Sequence, residues 1–468
     1  MSKRLIRLML AAMSLILLTG CDDSSSDTVV LRVANWEEYI DEGDWDEDEL
    51  IELEDGTEII GVNDMTADFE EWYYETYNKK VKVEYSTFGT CEELYNQITI
   101  GDVYDLACPS EYMIMKMLRE DMIVPYSNEF FDRSNENNYY VNNVSPYIAN
   151  VFDELTIDGN MLGKYAAGYM WGTLGIVYNP EYVSEEEAAH WDLLRNDDFY
   201  KRVTIKDSVR DAFFAAVAMA NYDEITQEEF INSPDYHERL SELLNATDEA
   251  TVNKVEDILT DCKENVYSFE TDAGKADMVT GKVVANEQWS GDAVYTIDQA
   301  EEDDLTLCYV APEEGTNLWF DGWILLKSGV GDDPARQHAA EAFVNFVSLP
   351  ENAIRNMYYI GYSSVISGGD SDMIYQYMNY NYGAEDDDED TVDYEVGYFF
   401  NAENPDGDDR AIVTTTKDQT KRQLYAQYPP KSVVDRSVVM ACFDDEDNER
   451  INRMWTDVRC FDLKHIFK

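Results

Sequence analysis

The chain has 468 residues, 97 of them acidic and 35 basic, which gives a formal net charge of −62. Such a charge repels nucleic-acid phosphates and anionic lipid headgroups, which argues against both as partners, and it attracts cations. An aromatic complement of 33 Tyr, 18 Phe and 9 Trp argues against disorder, and the length fits two or more packed domains.

In chain order, Lys3, Arg4 and Arg7 precede a short apolar run over 8–18, too short for a membrane span, which reads as a secretory signal over 1–20. Leu18-Thr19-Gly20-Cys21 resembles the bacterial lipobox, which implies that cleavage leaves Cys21 as a lipidated first residue. Residues 21–28 then read as a flexible polar tether. No later window holds 18 consecutive apolar residues, so the remainder is expected to lie outside the membrane.

Residues 29–34 have the composition of a strand. Residues 64–77 place Phe69, Trp72, Tyr73 and Tyr77 at helical spacing, and 80–85 alternates with period two, as a strand does. Thr90-Cys91-Glu92-Glu93 has the form of a capping box and opens a helix to about Ile100. A short strand over 104–108 is stopped by Pro109, and Ser110 begins another helix carrying Tyr112, Met115 and Leu118. This alternation predicts an α/β fold with a parallel sheet and right-handed crossovers, in which ligands bind at the carboxyl ends of strands. Further on, 203–206, 283–289 and 305–310 are strand-like. Residues 211–221 form an Ala- and Phe-rich helix, and Asp333-Pro334 opens another with Ala339, Phe343, Phe346 and Val347 on one face.

Two stretches break the pattern. Residues 37–58 hold thirteen acids and no base, and 385–395 hold eight acids in eleven residues; both read as surface insertions. Asp44-Trp45-Asp46-Glu47-Asp48 alternates acids as a calcium loop would. Glu49 stands where such loops need glycine, so a solvated acidic loop is expected. Besides Cys21, the cysteines are Cys91, Cys108, Cys262, Cys308, Cys442 and Cys460. None forms a C-x-x-C pair, which leaves disulfides and buried free thiols both open.

There is no nucleophile elbow, H-E-x-x-H, P-loop or Rossmann fingerprint, and His190, His237, His338 and His465 have no metal or triad spacing. Catalysis, metal and cofactor therefore have no motif support. What recurs is an aromatic beside a carboxylate: Asn35-Trp36-Glu37-Glu38-Tyr39, Ser110-Glu111-Tyr112, Arg210-Asp211, Trp289-Ser290-Gly291-Asp292 and Trp319-Phe320-Asp321.

From residue 29 to the C-terminus, acidic insertions apart, the chain resembles the spermidine/putrescine-binding proteins of ABC importers. The resemblance rests on six ordered segments: NWEEY (35–39), YDLACPSEYMIMKMLREDMI (104–123), YMWGTLGIVYN (169–179), NEQWSGDAV (286–294), LWFDGWILL (318–326) and YIGYSSV (359–365). It implies a two-lobed periplasmic-binding-protein fold, each lobe a mostly parallel sheet flanked by helices, with the ligand cleft between them. One lobe would comprise 29–160 and 321–427, with acidic insertions near 41–63 and 370–412; the other would comprise 161–320 and 428–468.

The resemblance also implies a monomeric, lipid-anchored protein that hands a polyamine to an ABC permease, with no catalysis and no cofactor. Trp36, Tyr39, Tyr112, Trp289, Trp319 and Tyr362 would be aromatic walls for the methylenes. Glu38, Asp211 and Asp321 would meet ammonium groups, and Ser110 would add a hydrogen bond. Asp292 follows Trp289 as in the putrescine-binding branch, and Ser208 stands where spermidine binders often carry an acid; putrescine is expected ahead of spermidine. For Asp321 the competing reading is an internal pair with Lys327 or Arg210. Asp211 could equally cap its own helix or pair with Arg210. Rival functions are capture of another cationic solute and calcium binding by a structural surface lipoprotein.

Overall fold

The computed structural model describes residues 28–385, 388–402 and 408–460. The signal segment, Cys21, most of the tether, Asp386, Asp387 and His465 lie outside them.

The first strand, β1 (Thr28–Trp36), is followed by α1 (Met65–Tyr77) and β2 (Lys80–Phe88), which pairs with β1 in parallel from Thr28↔Lys80 to Trp36↔Phe88. Asp64 caps α1 by accepting from the backbone N–H groups of Thr66 and Ala67, a device worth about 1 kcal/mol. Thr90 caps α2 (Cys91–Ile100) by accepting from the N–H of Glu93. The Glu93 carboxylate reaches back one residue further than a capping box requires, to the N–H of Gly89 at 2.9 Å.

The third strand shrinks to β3 (Leu106–Ala107), because Asp105 turns its carboxylate to the N–H of Arg32 and Pro109 ends the run. Helix α3 (Glu111–Arg119) follows. The long β4 (Ala166–Tyr178) is buried along its whole length. Next come β5 (Val203–Lys206), α4 (Val209–Ala220), β6 (Ser268–Glu270), β7 (Ala285–Trp289), α5 (Ser290–Glu302), β8 (Cys308–Val310), β9 (Thr316–Leu326) and α6 (Pro334–Val347). The seventh and eighth strands start two to three residues later than composition suggests, since the preceding residues close turns.

The main sheet runs β6-β5-β7-β4-β9-β3-β1-β2. Its two flanks are parallel, whereas β4 and β9 run antiparallel to each other and to their neighbours. These two long strands therefore carry the chain from one lobe to the other. The hydrophobic interiors part within β4, between Trp171 and Leu174, and again just before Leu318 in β9. Both strands run unbroken through that junction.

The acidic stretches are anchored rather than loose. Asp41 is 0% exposed and bonded to Nε of Arg355 at 2.7 Å, while Arg355 also holds Asp68 at 2.7 Å and the Asn63 carbonyl at 2.8 Å. Ile51 pairs with Ile59, both buried, and Trp45 packs on Tyr358 with centroids 4.6 Å apart. Asp44, Asp46, Glu47 and Asp48 face solvent, as expected of that loop, while Asp41 just before it is clamped. In the second stretch, Thr391–Glu395 pairs antiparallel with Ile412–Thr416, and Phe399 stacks on Trp171 at 5.8 Å. Among the described residues, all six cysteines are free thiols, and no cluster of His, Cys, Asp or Glu could hold a metal ion.

Candidate functional site

A cavity of about 610 Å³ opens where β1, β5 and β7 end, with β9 running along it. Binding at the carboxyl ends of parallel strands follows from the sheet, since only there do the connecting loops leave room. Ten of the eleven expected ligand residues line this one space: Trp36, Tyr39, Ser110, Tyr112, Asp211, Trp289, Asp292, Trp319, Asp321 and Tyr362. The eleventh, Glu38, does not. It occupies the left-handed backbone region at φ 55°, and this turn sends its exposed side chain away while Glu37 and Tyr39 face the cavity.

The turn itself is pinned. Asn35 donates from Nδ2 to the Tyr39 carbonyl at 3.1 Å, and Tyr169 donates to the same oxygen at 3.0 Å. Tyr39 is thereby aimed at Asp321, to whose Oδ2 its hydroxyl donates at 2.7 Å. The Ser110 hydroxyl leaves its own helix terminus uncapped and donates to Asp321 Oδ1, also at 2.7 Å. The register shift in β9 falls between Asp321 and Gly322, and such an irregularity re-aims a strand side chain.

Neither internal cation considered for Asp321 reaches it. Lys327 pairs with Asp121 at 2.6 Å, and Arg210 donates to the Ala441 carbonyl at 2.6 Å. Asp321 is 6% exposed and, among the described residues, has two hydroxyl partners but no cation. Burial pushes its pKa up to about 6, against the pull of those two hydrogen bonds. The aromatic walls stand round it: Tyr362 meets Tyr39 edge-on at 5.7 Å and leans on Trp319 at 5.4 Å, and Trp36 rests on Phe88 at 4.8 Å. Gly291 permits this arrangement, because a Cβ there would lie 1.7 Å from the Tyr362 ring.

Asp211 neither caps α4 nor pairs with Arg210. Ser208 is the cap, and Asp211 accepts from Nε1 of Trp289 at 3.3 Å. Burial raises its pKa, so the carboxylate is held at a cost that a ligand cation would relieve.

Asp292 differs from expectation more sharply. Its Oδ2 lies 3.2 Å from Nζ of Lys206, and its Oδ1 lies 3.5 Å from Nζ of Lys275 and accepts from the Tyr362 hydroxyl at 3.1 Å. Burial alone would raise its pKa, yet these partners hold it below the ordinary carboxylate range. Asp292 is in the cleft, but its charge is matched from within the protein. Two of the expected walls are also occupied: Nζ of Lys206 sits 4.2 Å from the Trp289 ring, and the Arg210 guanidinium sits 5.2 Å from the Tyr112 ring.

Among the lining residues that the sequence reading did not assign are Lys206 and Glu111. Lys206 was legible only as the end of a strand, although a lysine closing an apolar strand at the ligand side is itself a signal. Glu111 lay inside a quoted motif. It is buried, with Oε2 unpartnered, and burial reinforced by the nearby Asp321 charge pushes its pKa up to about 8.

Residues 64–375 match the profile of bacterial extracellular solute-binding proteins. The spermidine/putrescine-binding periplasmic protein of Salmonella typhimurium is 25% identical over 340 residues, covering 72% of this chain and 78% of its own. The putrescine-binding periplasmic protein SpuD of Pseudomonas aeruginosa is 24% identical over 340 residues, covering 70% and 76%. The solved structure of the spermidine/putrescine ABC transporter substrate-binding protein PotD of Streptococcus pneumoniae aligns with a TM-score of 0.57 at 23% identity, over 92% of this chain and 98% of that one. That likeness carries the two-lobed fold. With well over half its length matched to the profile, the chain belongs to the bacterial extracellular solute-binding protein family.

Proposed function

We propose that the protein binds a polyamine outside the cytoplasm and passes it to an ABC import permease, performing no chemistry on it. The observation that carries this reading is Asp321: a buried carboxylate in an aromatic-walled cleft, held by Tyr39 and Ser110 and without a cation partner among the described residues. A flexible methylene chain ending in ammonium groups supplies what that environment lacks, a charge for the carboxylate and apolar surface for the rings. The two binding proteins named above, from Salmonella typhimurium and Pseudomonas aeruginosa, point the same way.

In this reading Cys21 carries the lipid that holds a monomer at the outer membrane face. Ligand draws the lobes together, since Tyr39 belongs to one hydrophobic interior, with Asp321 among its residues, Asp211 lies among the residues of the other, and Trp289 packs against both. Isothermal titration of the full chain with putrescine and with spermidine tests it. Saturable binding of either, lost in Asp321→Asn, supports the reading; no binding of either ends it.

A further inference from the structure

We propose that Lys206 is a built-in cation that fills the Trp289–Asp292 end of the cleft, so that the site takes a diamine and turns away a third ammonium. The inference rests on the polyamine reading and names the ligand within it. An ammonium entering a protein site seeks a carboxylate, a carbonyl acceptor and an aromatic face. At this end Lys206 already holds all three. Its Nζ lies 3.2 Å from Asp292 Oδ2, donates to the Thr271 carbonyl at 2.7 Å and sits 4.2 Å from the Trp289 ring. The residue is 1% exposed and closes β5, so its position is set by the sheet rather than by a mobile loop.

Lys275 completes the closure. It lies 3.5 Å from both Asp292 and Asp272, so two ammoniums face two carboxylates, and Tyr362 donates to Asp292 Oδ1, the oxygen that Lys275 also faces. A ligand cation arriving here finds no unmatched charge and meets two like charges. Elsewhere in the cleft the balance is open. Asp321 and Asp211 make no ion pair among the described residues, and each accepts only neutral donors from its nearest partners. Asp321 and Asp211 are thus two buried lining carboxylates already held by hydrogen bonds and still without a counter-charge among those residues, which suits two ammoniums. Glu111 beside Asp321 and the exposed Glu37 are further acids of the same lining.

Competition calorimetry on the full chain tests this with putrescine and spermidine, for the native protein and for Lys206→Gln, with Lys206→Met as a second variant. The native protein should bind putrescine at least about tenfold more tightly than spermidine, and removing the lysine charge should move that ratio about tenfold or more toward spermidine. Equal or tighter spermidine binding by the native protein overturns the inference, as does an unmoved ratio in a variant that melts cooperatively. Should neither variant fold, the native ratio alone decides. Failure of both ligands to bind the native protein overturns the polyamine reading together with this one, whereas binding of both without the ratio overturns only the role of Lys206.

Discussion

The Tyr39 hydroxyl donates to Asp321 Oδ2 at 2.7 Å across 282 residues of sequence, joining the turn after the first strand to the register shift in the ninth. The carboxylate is thereby fixed in orientation without being neutralised. A preorganised, uncompensated charge is what gives a buried site high differential affinity for a cation.

Replacing Asp321 with asparagine keeps the shape and both hydrogen-bonding positions while removing the charge. Polyamine binding should weaken by about 2–5 kcal/mol, with the melting temperature unchanged or raised. Calorimetry paired with a thermal melt checks both halves. Native affinity in the folded variant would assign the carboxylate to packing.

The Asp321 pKa of about 6 sets a pH window. Cation binding favours the ionised form, so the Asp321 contribution to affinity should be full above that value and fall about tenfold per pH unit below it. Stability runs the other way. A carboxylate whose folded-state pKa is raised adds stability below its ordinary value, near 4, and that contribution is lost as pH rises through about 6. Affinity measured from pH 7.5 to 5 should bend near 6 in the native protein, and the bend should be missing from Asp321→Asn.

Glu111, with its pKa near 8, is mostly protonated at pH 7. A ligand ammonium entering the cleft lowers that value and expels the proton. Binding enthalpies at pH 7 should therefore differ between buffers of different ionisation enthalpy, and Glu111→Gln should remove the difference. Identical enthalpies in every buffer for the native protein would place Glu111 out of the ligand's electrostatic reach.

Arg355 holds the first acidic segment through Asp41, Asp68 and the Asn63 carbonyl. Arg355→Ala leaves Asp41 buried without a counter-charge, and unfolding in urea should show a loss of about 3–5 kcal/mol. A loss under about 1 kcal/mol would mean that the clamp is incidental.

What the sequence made legible follows from range. Thr90 and Asp333 act within four residues of themselves, and each caps the helix it was expected to open; Asp64 caps α1 in the same way. The aromatic–carboxylate pairs were visible because each is contiguous in the chain. Lys206 and Asp292 are 86 residues apart and Asp41 and Arg355 are 314 apart, so no local pattern announces either pair. For that reason the internal partners of Asp292 and of Asp41 were not foreseen. Glu38 failed for a subtler reason: a single residue at positive φ reverses which neighbours share a face, and nothing in NWEEY specifies which residue that is.

The register shift beside Asp321 makes the cleft sensitive to chain length in a way its walls are not. Side chains in β9 alternate between faces, so adding or removing one residue between Thr316 and Asp321 would turn the carboxylate away from Tyr39 and Ser110 and bring Phe320 or Gly322 into its place. Aromatic walls tolerate exchange for other aromatics, but the count of residues in this strand does not tolerate change. A relative with a single insertion or deletion there, whatever its overall similarity, would recognise a different solute.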